Sequence, residues 1–215
     1  MVYTLIGDLV GSRSAASRRD AQDAVTVALA RADDLVPSLD GLEATVGDEF
    51  QGVYADLATA TTATLVVRLV LLGLGGDARF GLGAGSREVY DDTRAPRLQD
   101  GPAWWSARAA IDELGRPSAR ARRGWYDGRH AADEPSAPSA PLVNAFLLCR
   151  DQLVDRLSPR AQQMLLAALE GATQREIAAA LGVTESAVSQ QFARGVGAVR
   201  DAQAMLTRLS DEAAP

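Results

Sequence analysis

The sequence predicts an α+β domain over residues 1–138 followed by an all-α unit over residues 139–215. Three observations carry this. Short apolar runs that read as strands alternate with long helical stretches in the order β-α-β-β-α-β through residue 90. The composition then shifts between residues 115 and 141, where arginines, glycines and a Pro/Ser/Ala run interrupt the pattern. Beyond it, helix-opening residues recur at short spacing with no strand signal between them.

Taken in order, residues 2–6 form an apolar run that fits a buried strand. Residues 17–36 read as a helix, with Ser17 as N-cap, Asp20 in the first turn and Pro37 just past the end. Residues 42–46 and 50–55 flank Gly47-Asp48-Glu49 and read as the arms of a β-hairpin with an acidic tip. The stretch 57–74 is apolar almost throughout but contains Arg68 and stops at Gly75-Gly76, so it reads as a buried helix and not as a membrane span. Residues 79–84 and 86–90 supply further strand, and glycines at 81, 83 and 85 mark a strand that other backbone approaches closely. This is the order of a ferredoxin-like sheet, whose first strand lies beside the central hairpin. Asp8 and Asp48 then meet at one end of that sheet.

Each of these aspartates follows a glycine, in Ile6-Gly7-Asp8-Leu9-Val10-Gly11-Ser12 and in Val46-Gly47-Asp48-Glu49-Phe50. Carboxylates at neighbouring strand ends, beside glycines that let phosphate come close, are what a magnesium–triphosphate site requires. A lone Gly-Asp is equally a turn dipeptide, since Asp bonds nearby backbone amides. The candidate metal ligands are Asp8, Asp48 and Glu49, and the candidate nucleotide contacts are Gly7, Gly11, Ser12 and Gly47. Arg79, Arg87, Arg94 and Arg97 are further candidates for phosphate or partner contacts.

Arg116, Arg120, Arg122 and Arg123 precede Gly124-Trp125-Tyr126, a loop and one strand that completes the sheet; residues 133–141 form a semi-extended linker. In the second unit, Ser158 N-caps a helix with Pro159 in its first position, and Gly171-Ala172 ends it. Thr173-Gln174-Arg175-Glu176 is a capping box that opens a helix over 174–181. Gly182-Val183-Thr184 turns the chain, and Glu185 starts a long final helix. Ile177, Ala178, Leu181, Val183 and Val188 hold the apolar positions that pack two helices across such a turn. The polar face of the following helix carries Ser186, Ser189, Gln190 and Arg194, with Gln191 alongside, and these are the candidate contacts to double-stranded DNA.

Charge and composition narrow the chemistry. The 22 basic residues are all arginine, so a Walker A loop, a Schiff base and a lysine-activated nucleophile are excluded. A single cysteine, Cys149, excludes an internal disulfide, and the one histidine, His130, lies in a loop-like stretch. No run is long and uncharged enough to span a membrane and the chain enters a strand at once, which points to a cytoplasmic protein. Residues 141–215 hold seven arginines against eight acids, so affinity for DNA should be modest and salt-dependent unless a homodimer places two half-sites.

The motif around Asp8 resembles the first metal-binding strand of class III nucleotidyl cyclases, and Gly47-Asp48-Glu49-Phe50 resembles both their second metal motif and the end of the diguanylate cyclase signature. The C-terminal unit resembles the helix-turn-helix of LuxR-type regulators and of sigma-factor region four, and the whole chain most closely resembles the SatD family. The cyclase resemblance implies a palm domain binding Mg2+ and a nucleoside triphosphate or cyclic (di)nucleotide. Cyclases also carry an Asn and an Arg that stabilise the transition state, and Trp105 and Ala109 stand in those places here. Arg108 is adjacent, yet one residue along a helix turns a side chain by about 100°. The resemblance therefore implies a regulator that binds a nucleotide without cyclising it. An active cyclase or nucleotidyltransferase localised on DNA is the alternative, and a dimerisation module with a vestigial site is a third.

Overall fold

The computed structural model describes residues 1–11, 18–45, 47–131 and 137–212. Its centre is a five-stranded sheet of β1 (Val2–Leu9), β2 (Glu43–Ala44), β3 (Glu49–Tyr54), β4 (Ala78–Gly85) and β7 (Gly124–Asp127), in the order β2-β3-β1-β4-β7. β1 is antiparallel to both β3 and β4, and β7 joins β4 in parallel. The first four strands reproduce the ferredoxin-like order, and β7 completes the sheet as the sequence predicts.

Side-chain alternation divides the sheet into two faces. Tyr3, Leu5, Phe50, Tyr54, Phe80 and Leu82 point into the main core with α1 (Arg18–Leu35) and α2 (Leu57–Gly73). Ile6 and Val53 point the other way, onto Trp104, Ala107, Ile111 and Leu114 of α3 (Pro102–Leu114). The alternate glycines of β4 face α3 and allow backbone-to-backbone contact: a Cβ on Gly83 would lie 2.2 Å from the Ala103 carbonyl oxygen, and one on Gly81 would lie 2.5 Å from that of Ala107.

The helical unit comprises α4 (Ala140–Arg156), α5 (Pro159–Leu169), α6 (Gln174–Leu181), α7 (Glu185–Gln191) and α8 (Gly197–Glu212). It packs directly on α2: Leu65 and Leu69 share a core with Val154, Met164, Leu165, Ile177, Val188 and Val196. Because α2 is covered by the sheet on one side and by this bundle on the other, it is apolar almost all round. Arg68 nevertheless lies on it, its side chain 1% exposed, with ion pairs to Asp77 at 2.9 Å and to Asp155 of α4. Arg150 of α4 is also buried, donating to Thr61 O at 2.9 Å and to Thr64 Oγ1 at 3.1 Å. Gln203 of α8 donates to Thr61 Oγ1 at 2.9 Å. These polar contacts fix how the bundle sits on α2, since each buried donor without its partner would be costly.

Four expectations change. β1 does not stop at Ile6 but continues through Gly7 and Asp8 to Leu9, because β3 pairs with it through Asp8 and β4 through Leu9. The strand expected at 86–90 is β5 (Glu88–Asp91), which among the described residues pairs with β6 (Leu98–Asp100) alone, in a separate hairpin. α4 precedes the first helix predicted for the second unit. The long final helix breaks, since Gly195 adopts φ +146° and separates α7 from α8. The expected Ser17 cap and residues 133–136 of the expected linker lie outside the described residues. No helix among the described residues is long and apolar enough to cross a membrane.

Candidate functional site

Asp8 sits at the end of β1 that the sheet order places beside the tip of the β2–β3 turn. Its cross-strand partners are Glu49 on one side and Arg79 on the other. All three belong to the face that α3 covers, and they lie against its C-terminal half. Arg108, Ile111, Asp112 and Gly115 recur there at the i, i+3, i+4, i+7 spacing of one helix face. Together with Arg116 and Pro117 they enclose a cleft of about 520 Å3.

Opposite charges are paired within it. Arg79 donates to Asp8 and, through Nη1, to Leu114 O at 3.3 Å. Its Nε is buried with no hydrogen-bond partner among the described residues. Arg108 forks onto Glu49, with Nη1 to Oε1 at 2.9 Å and Nη2 to Oε2 at 3.0 Å. Asp48 stands close enough to Asp8 to disturb its ionisation: burial pushes the Asp8 carboxyl up, Arg79 opposes this, and the Asp48 carboxylate adds to the push. The sheet thus brings Asp8, Asp48 and Glu49 to one end.

The glycines divide. Gly47 adopts φ +84° in an open turn where a Cβ would meet nothing within 4 Å. Gly11 adopts φ +73°, again a conformation that suits glycine. Gly7 does not open toward the cleft: it faces the main core, where a Cβ would lie 2.0 Å from Cζ of Phe50, so its smallness serves packing. Ser12 lies outside the described residues, as does Val46.

Among the described residues no group of three or more His, Cys, Asp or Glu side chains is arranged to hold a metal ion by itself. The donors fit a narrower role. Carboxylate oxygens are the ligands magnesium takes, and one or two suffice when the ion also shares a ligand's phosphates. Trp104 is buried under the sheet, and Trp105 is exposed with Nε1 donating to Asp100 Oδ1 at 2.8 Å, so neither lines the cleft. Arg87 and Arg97 converge instead on Asp40 and tie down the β5–β6 hairpin. His130 lies on the surface with Nδ1 3.0 Å from Ser106 Oγ. The residue that sequence reading passed over is Arg108, discounted on its offset from the cyclase Arg. Its spacing with Ile111, Asp112 and Gly115 was the available signal.

The second candidate site is the turn between α6 and α7. Thr173 and Glu176 form the reciprocal capping box, Gly182 ends α6 with φ +62°, and Thr184 caps α7 by accepting from Ala187 N. Ile177, Ala178 and Val188 are buried across the turn, with Leu181 and Val183 packed against them. Ser186, Ser189, Gln190 and Arg194 are exposed on one side and Gln191 is half-buried. Arg194 stands in the turn just after α7, at the Gly195 break, and not on a continuous helix.

Residues 147–199, from within α4 to the start of α8, match sigma-70 region 4, in agreement with a DNA-binding helix-turn-helix. A search of curated proteins finds no match. Residues 2–118, spanning β1 to α3 and thus more than half of the chain, match the SatD family, to which this chain belongs.

Proposed function

We propose that this chain is a transcriptional regulator in which the α+β domain senses a nucleotide, with magnesium, and controls DNA binding by the helix-turn-helix. The observation that carries the proposal is the exposed polar face of α7, set on a capped turn whose core includes Leu65 and Leu69 of α2. A major-groove helix needs that combination, rigidly held from behind and polar in front. Because α2 also forms the main core of the sheet, a change at the sheet has a direct mechanical route to the bundle.

The nucleotide part rests on the cleft at the end of the sheet. Asp8, Asp48 and Glu49 would hold a magnesium ion, which would neutralise the phosphates of a nucleoside triphosphate or cyclic (di)nucleotide. Gly11 and Gly47 would leave room for phosphate. Turnover is not expected, because Trp105 points outward to Asp100 and Ala109 has no donor to offer a transition state. One observation favours the catalytic alternative: Arg108, one residue before the position at which the resemblance would put the cyclase Arg, lines the cleft and supplies a cation there. We read the working form as a cytoplasmic homodimer engaging two half-sites, since the bundle is not broadly basic and one copy would bind DNA weakly.

Selection from random duplexes tests the DNA half. Recovery of a preferred motif with salt-dependent binding supports it, and no binding even at low salt refutes it. Thermal-shift screening against nucleoside triphosphates and cyclic dinucleotides, with and without magnesium, tests the sensing half. Rapid, Asp48-dependent formation of a cyclic product would replace it with the catalytic alternative.

A further inference from the structure

The cleft holds as many guanidinium groups as carboxylates in its pairs, and this bears on which ligand it takes. An all-carboxylate site would attract a bare cation, and an all-arginine site would attract any anion. Here the charges of the two walls are matched in pairs, Asp8 with Arg79 and Glu49 with Arg108, and Asp112 and Arg116 at the margin add one more of each sign. A ligand of one sign that enters must break a pair and leave the displaced partner without compensation in a partly desolvated place.

Resting on the nucleotide-sensing reading, we propose that Arg79 and Arg108 are the phosphate-holding residues of the cleft, and that they exchange Asp8 and Glu49 for phosphate when a metal–polyphosphate binds as one unit. The metal takes the released carboxylates while the phosphate chain takes the released guanidinium groups, so no charge is stranded. The geometry suits the exchange. Arg108 and Glu49 are 49% and 36% exposed, and a pair so open to solvent is held only weakly. A guanidinium that forks onto two carboxylate oxygens can fork equally onto two phosphate oxygens. Arg79 is anchored to Leu114 O through Nη1 and keeps Nε as a donor without a partner among the described residues, so it has unused capacity for an anion. The two arginines come from β4 and α3, on different walls of the same cleft, which is how a chain of phosphates is gripped along its length.

The consequence is mutual dependence: free magnesium and free polyphosphate each bind poorly, and each tightens the other. The full chain is titrated calorimetrically with magnesium chloride alone, with inorganic tripolyphosphate, ATP and GTP in EDTA, and with the same three in magnesium. Arg79→Gln, Arg108→Gln and Glu49→Gln are then compared with the parent, with circular dichroism confirming the fold. We expect at least one polyphosphate to bind the parent tenfold or more tighter in magnesium than in EDTA. Arg108→Gln should lose at least tenfold of that affinity. Since Arg108 is half exposed, this variant keeps the test sound if Arg79→Gln fails to fold. Glu49→Gln frees Arg108 and should strengthen polyphosphate binding in EDTA. Magnesium-dependent binding that is unchanged in both arginine variants would overturn the phosphate assignment and leave nucleotide sensing standing. Absence of polyphosphate binding to the parent under every condition would overturn both.

Discussion

Replacing Gly83 by alanine tests the close docking of α3 on the sheet that forms one wall of the cleft. The new methyl would lie 2.2 Å from Ala103 O, 2.3 Å from Ala107 N and 2.8 Å from Ser106 Cβ. Ordinary contact needs about 3.5 Å, so α3 must retreat by about 1 Å. Two of the three obstructing atoms are helix backbone and cannot rotate away. Overpacking of this kind costs about 1–3 kcal/mol where side chains can yield, and a rigid obstacle places the variant at about 3 kcal/mol. For a chain of this length that is a fall in Tm of roughly 6–12 °C. The retreat would also strain the bond from Thr4 Oγ1 to Ala103 O, now 2.8 Å, and draw Arg108 away from Glu49. Urea unfolding of Gly83→Ala, beside Gly73→Ala, gives the measurement. Gly73 ends α2 with open space around its Cβ position, so its substitution should be neutral or stabilising by up to about 1 kcal/mol. A Gly83→Ala protein within about 0.5 kcal/mol of the parent, near the usual range for harmless surface changes, would refute the argument.

Other substitutions probe the charges and the DNA face. Asp8→Asn removes a carboxylate that burial and Asp48 disfavour by more than Arg79 favours it, and the Asn carbonyl oxygen can still accept from Arg79, so the ligand-free protein should melt higher while magnesium-dependent nucleotide binding falls; a lower melting temperature counts against the reading. Asp77 behaves with the opposite sign: burial alone would raise it, but ion pairs with Arg68 and Arg123 outweigh this and lower its pKa below the unfolded value of about 4. Its contribution is therefore present above that value and is lost as pH falls through the lower folded pKa; acid melts should show the loss, and Asp77→Asn should flatten it. Arg194→Ala should weaken binding across all duplexes through a lost phosphate contact, whereas Ser189→Ala or Gln190→Ala should change site preference at a cost of about 1–3 kcal/mol. Competition binding with selected and scrambled duplexes separates the two outcomes.

The fold was legible wherever the information was local. Strand alternation, the Thr173–Glu176 capping box, Pro159 after Ser158 and the glycines at 81, 83 and 85 each state a geometric requirement within a few residues, and the structure meets each. α4 was obscured because its buried stripe includes Arg150 and Asp151, which read as solvent-facing until the partners of Arg150 on α2 and α8, and its pairing with Asp151, are known. The break at Gly195 was passed over because an isolated glycine is tolerated in a helix, and only the positive φ makes it an end. The cleft was half legible. Gly-Asp at two strand ends identified the carboxylates, but Arg79 and Arg108 are set against them by strand register and helix phase across 71 and 59 residues of sequence. No short-range pattern encodes that pairing.

The central claim is that occupancy of the sheet-end cleft alters DNA binding through α2. The most direct measurement is the affinity of the full chain for its selected duplex, at fixed salt and magnesium, with and without a saturating concentration of whichever nucleotide binds the cleft. The account predicts a change of at least fivefold in the parent protein, of about 1 kcal/mol as befits coupled sites, and a nucleotide concentration for half of that change at least tenfold higher in Arg108→Gln. Equal affinities for the duplex with the cleft empty and with it filled would contradict the account.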